Sequence, residues 1–315
     1  MANTVNGWHF KRGLEEAFMK KLALLAAKGG WFADVLADPG LILGIRNNYL
    51  NVYWRGQSLF KIEWSAGKDV PLKISTHPKY LLDPALSKAV PFDGSSFKID
   101  TLTPLIKEYS GAKTLTRMKK AAKLYCGEEK HGVHDVALAN PNVIDTEVAF
   151  KCDGEEEENP SVPRMDLACL EQVLGSIRLR FWEAKLFVNG ELCAEGDKEA
   201  QVVGQMRDYR SLVEKHRAEI IQSYRVVAQN LADIARWGDS PRKLGSLIER
   251  VAKGEALVID DVPIVGLIVY GYDDAQGKSK RWKSHLEKLT TDEDTPVRCA
   301  GDPKNIKLKH PSRLP

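Results

Sequence analysis

Phe181-Trp182-Glu183-Ala184-Lys185 sets an acid and an amine two residues apart in a run that otherwise reads as a buried β-strand. Strand side chains alternate faces, so Ile177, Leu179, Phe181, Glu183, Lys185 and Phe187 are expected on one side, with both charges on a largely apolar face. An ionised carboxylate or ammonium in that setting is costly unless a counter-charge or metal accompanies it. Chemistry is one reason to accept the cost; an ion pair at the exposed end of an ordinary strand is the plainer one.

The neighbouring sequence supplies more acids. Upstream, Pro163-Arg164-Met165-Asp166-Leu167-Ala168-Cys169-Leu170 reads as a second apolar strand with an acid near its start, and Gly175-Ser176 marks a turn. Pairing of the two strands as a hairpin brings Asp166 within reach of Glu183. Further upstream, Val143-Ile144-Asp145-Thr146-Glu147-Val148-Ala149-Phe150 holds Glu147 between apolar residues. The run Glu155 to Glu158, beside Asp153, Gly154, Asn159 and Pro160, reads instead as a solvated loop.

In this order, Glu147, Asp166 and Glu183-Ala184-Lys185 resemble the PD-(D/E)XK nuclease superfamily, whose signature is an acid, a second acid on a strand, and Glu-x-Lys on the next strand. Gln205-Met206-Arg207-Asp208-Tyr209 is similar to the Gln-x-x-x-Tyr helix motif of the RecB-like branch. The match is good over residues 140–210, suggests the fold up to about 272, and leaves the first 125 residues unassigned. Met165 stands where the naming proline would be, with Pro163 two residues earlier. Some RecB-like members carry clustered cysteines for an iron–sulfur group; Cys126, Cys152, Cys169, Cys193 and Cys299 are scattered singly, so no cluster is expected.

The chemistry of the residues agrees with the resemblance. Phosphodiester hydrolysis needs an activated water and positive charge beside the transition state, and Mg²⁺ or Mn²⁺ supplies both. Those ions take hard oxygen ligands, so Glu147, Asp166, Glu183 and the main-chain carbonyl of Ala184 are the expected metal ligands. Lys185 is expected to orient or deprotonate the attacking water and to stabilise developing charge. Gln205 and Tyr209 share a helix face, extended one turn by Gln201. They form either an exposed polar stripe or contacts to the substrate backbone.

The predicted fold class is α/β (α+β): a central mixed β-sheet flanked by helices, like a restriction-endonuclease core, with an N-terminal α+β region. Residues 1–130 are expected to select substrate or contact a partner protein, 131–275 to form the nuclease-like core, and 276–315 to be a basic, partly irregular extension. Residues 8–28 read as a helix through Leu14, Phe18, Leu22 and Leu25. Asn51–Trp54 and Ser58–Ile62 read as a hairpin around Arg55-Gly56-Gln57, with a further strand at Leu72–Ile74. Residues 198–236 read as helical. Ala256–Ile259 and Ile264–Tyr270 are continuous apolar runs suited to strands covered on both faces. Residues 290–315 read as an irregular tail.

Composition limits the function classes. At 315 residues and 43 % hydrophobic, the chain is long enough for a substantial core. Nothing approaches the roughly twenty apolar residues that span a membrane, and the scattered cysteines argue against a secreted disulfide framework, so a cytoplasmic location is expected. A net charge of +3 does not by itself point to nucleic acid. Basic stretches do occur locally, at Lys113, Arg117, Lys119, Lys120, Lys123 and Lys130 and again around Trp282, where phosphates or plain solvent are the alternatives. The leading expectation is a metal-dependent nuclease acting on DNA rather than RNA, by analogy a restriction or phage-defence effector. The alternative is a nuclease-like module that binds or assembles, either silent or gated by a partner.

Overall fold

The computed structural model describes residues 8–68, 71–82, 106, 108–152, 163–193, 198–237, 243–290 and 295–309. The acidic run at 155–158 lies outside them. A short strand β1 (Trp8–His9) precedes helices α1 (Glu16–Lys28) and α2 (Trp31–Ala37). Strands β2 (Ile42–Ile45), β3 (Tyr49–Trp54), β4 (Gln57–Trp64) and β5 (Leu72–Ser75) form an antiparallel sheet in that order. Helices α3 (Ala112–Lys123) and α4 (Glu128–Ala139) lead into the second half of the chain.

That half begins with β6 (Val143–Ala149), β7 (Lys151–Cys152), which pairs with β1, β8 (Arg164–Val173) and β9 (Ser176–Leu186). Helices α5 (Gln201–Lys215), α6 (Arg217–Ile234) and α7 (Ser246–Ala252) follow, then β10 (Leu257–Val258) and β11 (Val265–Tyr270), α8 (Asp274–Lys278), α9 (Lys280–Leu289) and β12 (Val297–Ala300). The main sheet runs β12-β11-β9-β8-β6, with β10 also against β9. It is mixed: β6, β8 and β9 are antiparallel, while β10, β11 and β12 join in parallel. The protein is therefore of the mixed α/β class, as the alternating and continuous apolar runs require.

The β8–β9 hairpin closes through Leu174-Gly175, both with positive φ (49° and 84°), the backbone of a two-residue turn whose twist matches the strands. One face of the sheet, through Ala168, Leu170, Leu179, Phe181, Leu267 and Val269, shares a core with α5, α6 and α7. The other, through Leu167, Cys169, Trp182, Ala184 and Ile268, packs with Val133, Val136 and Ala137 of α4. Covered on both sides, β9 and β11 need apolar residues at successive positions, which is why charges at 183 and 185 stand out.

Three expectations are corrected. The helix predicted over 8–28 starts only at Glu16. Before it the chain is extended because α6 offers a ladder of side-chain acceptors: Phe10, Arg12 and Leu14 donate their N–H groups to Glu219, Ser223 and Asn230. The predicted irregular C-terminal tail contains regular structure among its described residues. Val297–Ala300 add a parallel strand to the edge of β11, and Ile306 and Leu308 are buried on the α4 face. Pro296 directly precedes the strand and Pro303 opens a short 3₁₀ turn after it, so neither prevents a four-residue strand between them. The apolar run Ala256–Ile259 yields only the two-residue β10.

The N-terminal region is fastened to the main sheet by one buried acid. Asp145 of β6 accepts from Arg46 Nη1 at 2.6 Å and from Tyr224 of α6 at 3.1 Å, with Arg12 Nε at 3.5 Å. Arg12 and Arg46 also donate to the carbonyls of Ala149 and Thr146, at 2.8 and 2.6 Å. All three charged side chains are almost fully buried. The expected boundary at residue 130 falls within α4. Removing one member of a buried ionic set strands the others without their counter-charge. Asp145→Asn is accordingly expected to lose about 3–5 kcal/mol of stability in urea unfolding, the range for a broken buried pair; a loss below about 1 kcal/mol, as for exposed pairs, would count against this role.

Candidate active site

The backbone ladder between β8 and β9 ends at Leu167 and Trp182. One residue further on, Asp166 and Glu183 face each other, and the side chain of Asp166 takes over from the main chain: its Oδ2 accepts from Ala184 N–H at 2.9 Å. Phe181 and Phe187 donate their N–H groups to β11, so the even-numbered residues of β9 turn theirs towards β8. In a strand the N–H and C=O of one residue point to the same edge. The carbonyl of Ala184 therefore faces the same side as Asp166, as a ligand role requires.

Glu183 is buried, and its two oxygens differ. Oε1 is 2.9 Å from Lys185 Nζ, whereas Oε2 has no hydrogen-bond partner. Lys185 is also 2.7 Å from Glu191, in the short turn of helix at Gly190–Leu192 after β9. Burial works to lower the Lys185 pKa, but Glu183 and Glu191 outweigh it and hold the amine above its ordinary value. This arrangement favours the charged amine and places it to stabilise negative charge beside Glu183.

Glu147 reaches the site from β6. Its backbone has φ 55°, the left-handed region that non-glycine residues rarely adopt, and such strain costs about 1–3 kcal/mol. Its carboxylate meets Lys130 Nζ of α4 at 2.5 Å and Arg164 Nη1 of β8 at 3.4 Å. Lys130 lies 3.5 Å from Asp166 as well, and so links the two acids. Burial opposes charge on Lys130, yet Asp166 and Glu147 raise its pKa overall.

The structure thus joins Glu147 to Asp166 through Lys130, places Asp166 opposite Glu183, and joins Glu183 to Lys185. The first and last of these links run through lysines, the middle one through strand pairing. Among the described residues, no three Asp, Glu, His or Cys side chains converge closely enough to hold a metal ion as they stand. The donor set nonetheless suits a hard divalent cation: two buried carboxylates on adjacent strands, a main-chain carbonyl between them, and one buried carboxylate oxygen with nothing to accept from. Lys130, the most exposed of the cations touching these acids at 38 %, is the group an incoming ion would displace.

Tyr209 and Gln205 of α5 hold the start of β8. The Tyr209 hydroxyl donates to the Arg164 carbonyl at 2.7 Å and accepts from Gln205 Nε2 at 2.8 Å. Tyr209 is buried and Gln201 exposed, so these residues do not form one exposed stripe. The pair supports the main chain two residues before Asp166. Of the two basic stretches, Lys119 is paired with Asp38, and Trp282 is buried against Phe187, its ring 5.0 Å away.

Three participants were not assigned from sequence. Lys130 stood out only as part of a basic stretch, Arg164 only as a neighbour of Asp166, and Glu191 not at all. The signal for Arg164 was present, since a residue two before Asp166 on a strand shares its face.

Burial raises the Asp166 carboxyl to about 6, with Glu147 adding to the shift and Lys130 opposing it. Burial and then the Asp166 charge raise Glu183 to about 8, against the pull of Lys185. A carboxyl whose folded pKa lies above its unfolded value favours the folded state fully below that unfolded value, and the benefit is lost as pH rises through the folded pKa. For Glu183 that window runs from about 4.5 to about 8. In EDTA, Glu183→Gln is therefore expected to gain on the parent protein as pH rises from 5 to 8, with Tm higher by about 2–4 °C for each kcal/mol; equal Tm–pH curves would contradict the burial argument.

No family model, curated protein or solved structure matches the chain. Among the described residues, no helix is long and apolar enough to cross a membrane.

Proposed function

We propose that the chain is a metal-dependent nuclease of the PD-(D/E)XK type, RecB-like branch, hydrolysing phosphodiester bonds in DNA. The observation that carries this reading is the pairing of Asp166 with Glu183 at the end of the β8–β9 ladder, one Glu183 oxygen unpartnered and Lys185 behind it. Buried acids grouped at the end of a strand ladder, with one oxygen left unpartnered, are typical of sites that take a cation.

Asp166, Glu183 and the Ala184 carbonyl would hold Mg²⁺ or Mn²⁺, with Glu147 contributing from β6. When bound, the ion supplies an activated water and charge neutralisation at the phosphate. The protein's own residues do the rest. Lys185, kept protonated by Glu183 and Glu191, presents positive charge where the pentacoordinate phosphate becomes more negative. Arg164 is placed to steady a phosphate oxygen at the β6 side, and Tyr209 with Gln205 fixes the strand that carries both Arg164 and Asp166. A role as restriction or phage-defence effector is the biological setting by analogy.

Lys130 favours a refinement: the site is gated. With Lys130 across Glu147 and Asp166 the acids are already neutralised, so activity would await a substrate or partner that draws the lysine away. In its limit this is the alternative of a silent module.

Plasmid and linear DNA incubated with Mg²⁺, Mn²⁺ or EDTA test the reading. Cleavage is expected with either ion and not with EDTA, and Asp166→Asn, Glu183→Gln and Lys185→Ala are each expected to slow it at least about 100-fold, as for loss of a transition-state charge stabiliser. Cleavage undiminished in Lys185→Ala would defeat the assignment. Lys130→Met is expected to reach half-maximal rate at a lower Mn²⁺ concentration than the parent; an unchanged or higher requirement would argue against gating by that lysine.

A further inference from the structure

The N-terminal sheet turns one face to the helices and the other to the candidate site. Along β3, Leu50 and Val52 are fully buried in the apolar core with Phe18, Leu22 and Phe32, so Tyr49, Asn51 and Tyr53 occupy the opposite face. That face and the edge of the main sheet enclose a cleft of about 200 Å³, lined by Tyr49, Asn51, Tyr53 and Ser58 on one side and Glu147 and Arg164 on the other. Two of its walls are therefore residues of the site already described. The cleft is smaller than the roughly 300–1,000 Å³ that takes a drug-sized ligand, and suits a single ring system.

On the wall away from Glu147 and Arg164, its polar groups are arranged for a neutral ligand. Asn51 is 96 % buried, counting from its 4 % exposure, and its Oδ1 has no hydrogen-bond partner. Its Nδ2 donates to the Tyr53 hydroxyl at 2.7 Å, and Arg46 Nη2 reaches the same oxygen at 3.4 Å. With both contacts donated to that oxygen, the Tyr53 proton is directed elsewhere. An unpartnered acceptor is thus buried beside a donor just behind the cleft wall, where a ligand meets it once the wall side chains give slightly; turning the Asn51 amide over changes which atom lacks a partner, not that one does. Gly44 allows this arrangement, because a Cβ there would lie 2.6 Å from the Tyr53 ring. Phosphate is the wrong guest for this wall, since Asp145 and the Thr146 carbonyl already engage Arg46.

We propose that this cleft receives one nucleobase, unstacked from the nucleic-acid strand whose phosphate lies at the Asp166–Glu183 site. Adjacent donor and acceptor atoms on a planar edge are what bases offer, and asparagine pairs with such an edge in two bonds. The rings of Tyr49 and Tyr53 border the cleft, with Lys61 over the first at 4.8 Å and Arg46 over the second at 5.6 Å, and their remaining surface offers aromatic contact to a base. A base inside a duplex reaches such a pocket only by leaving the stack, which is easiest for a single-stranded, mismatched or damaged base. The link to a scissile phosphate rests on the nuclease reading; the pocket itself does not.

Binding is therefore measured without metal. In EDTA, the full chain is titrated with dAMP, dGMP, dCMP and dTMP, with 2-deoxyribose 5-phosphate as the base-free control, following Tm. At least one mononucleotide is expected to raise Tm by several degrees more than the control, and Asn51→Leu and Tyr53→Phe are each expected to weaken that nucleotide at least about fivefold. Tyr53→Phe keeps the ring, so it reads the hydroxyl alone should Asn51→Leu fold poorly. A duplex carrying 2-aminopurine should brighten on binding the parent protein and less so with Tyr53→Phe. No advantage over the control, or equal binding by both variants, identifies a solvent-filled cleft only and overturns the proposal. Nucleotide binding without any DNA cleavage would sink the nuclease reading alone, and cleavage without nucleotide binding would sink the pocket alone.

Discussion

Two carboxylates buried face to face across neighbouring strands are the constraint around which this structure is arranged. Asp166 and Glu183 lie where the β8–β9 ladder stops, and the Asp166 side chain replaces the missing main-chain bond by accepting from Ala184 N–H. Each acid is disfavoured as an anion by burial, and Glu183 further by the charge of Asp166. The surrounding groups respond to that. Lys130 meets Asp166 and Lys185 meets Glu183; Glu191 then answers Lys185, and Glu147 answers both Lys130 and Arg164. One oxygen of Glu183 remains without a partner, which is the natural place for an added cation to act.

The same logic explains how the N-terminal region is held. Asp145 is two residues before Glu147 on β6, and it collects Arg12, Arg46 and Tyr224 from three parts of the chain. Fixing β2 against β6 in this way sets the distance between the polar face of the N-terminal sheet and the candidate site, and so defines the cleft at Asn51. Strain at Glu147, close to this anchor, fits a segment whose geometry is dictated from both sides. Binding surface and chemistry would then share one rigid frame.

Much of the fold was legible because its signals are local. The turn signal at Gly175-Ser176, the apolar residues on either side of it and the continuous run at 264–270 point to strands, and strands lie there, with the turn itself one residue earlier at Leu174-Gly175. The hairpin brought Asp166 within reach of Glu183, but a two-residue turn at Gly175-Ser176 would have set it opposite Lys185; the turn at Leu174-Gly175 fixes the register that pairs it with Glu183. What the sequence withheld depends on distant partners. Residues 8–15 are extended because side chains of α6 more than two hundred positions away accept their N–H groups. Lys130 looks like any member of a basic helix until the fold brings Glu147 and Asp166 to it, and Tyr209 reads as a surface residue until its hydroxyl is found on the Arg164 carbonyl. The four residues at 297–300 carry too little pattern to declare a strand before the edge of β11 is known.

The central claim is that these acids are assembled for a divalent cation, and crystals soaked in Mn²⁺ and measured at the manganese absorption edge test it most directly. The account predicts an anomalous peak bounded by Asp166, Glu183 and the Ala184 carbonyl, with Lys130 moved away from Asp166, and no such peak in Glu183→Gln. Lys130 still bridging Glu147 and Asp166, with no anomalous density at saturating Mn²⁺, would contradict it.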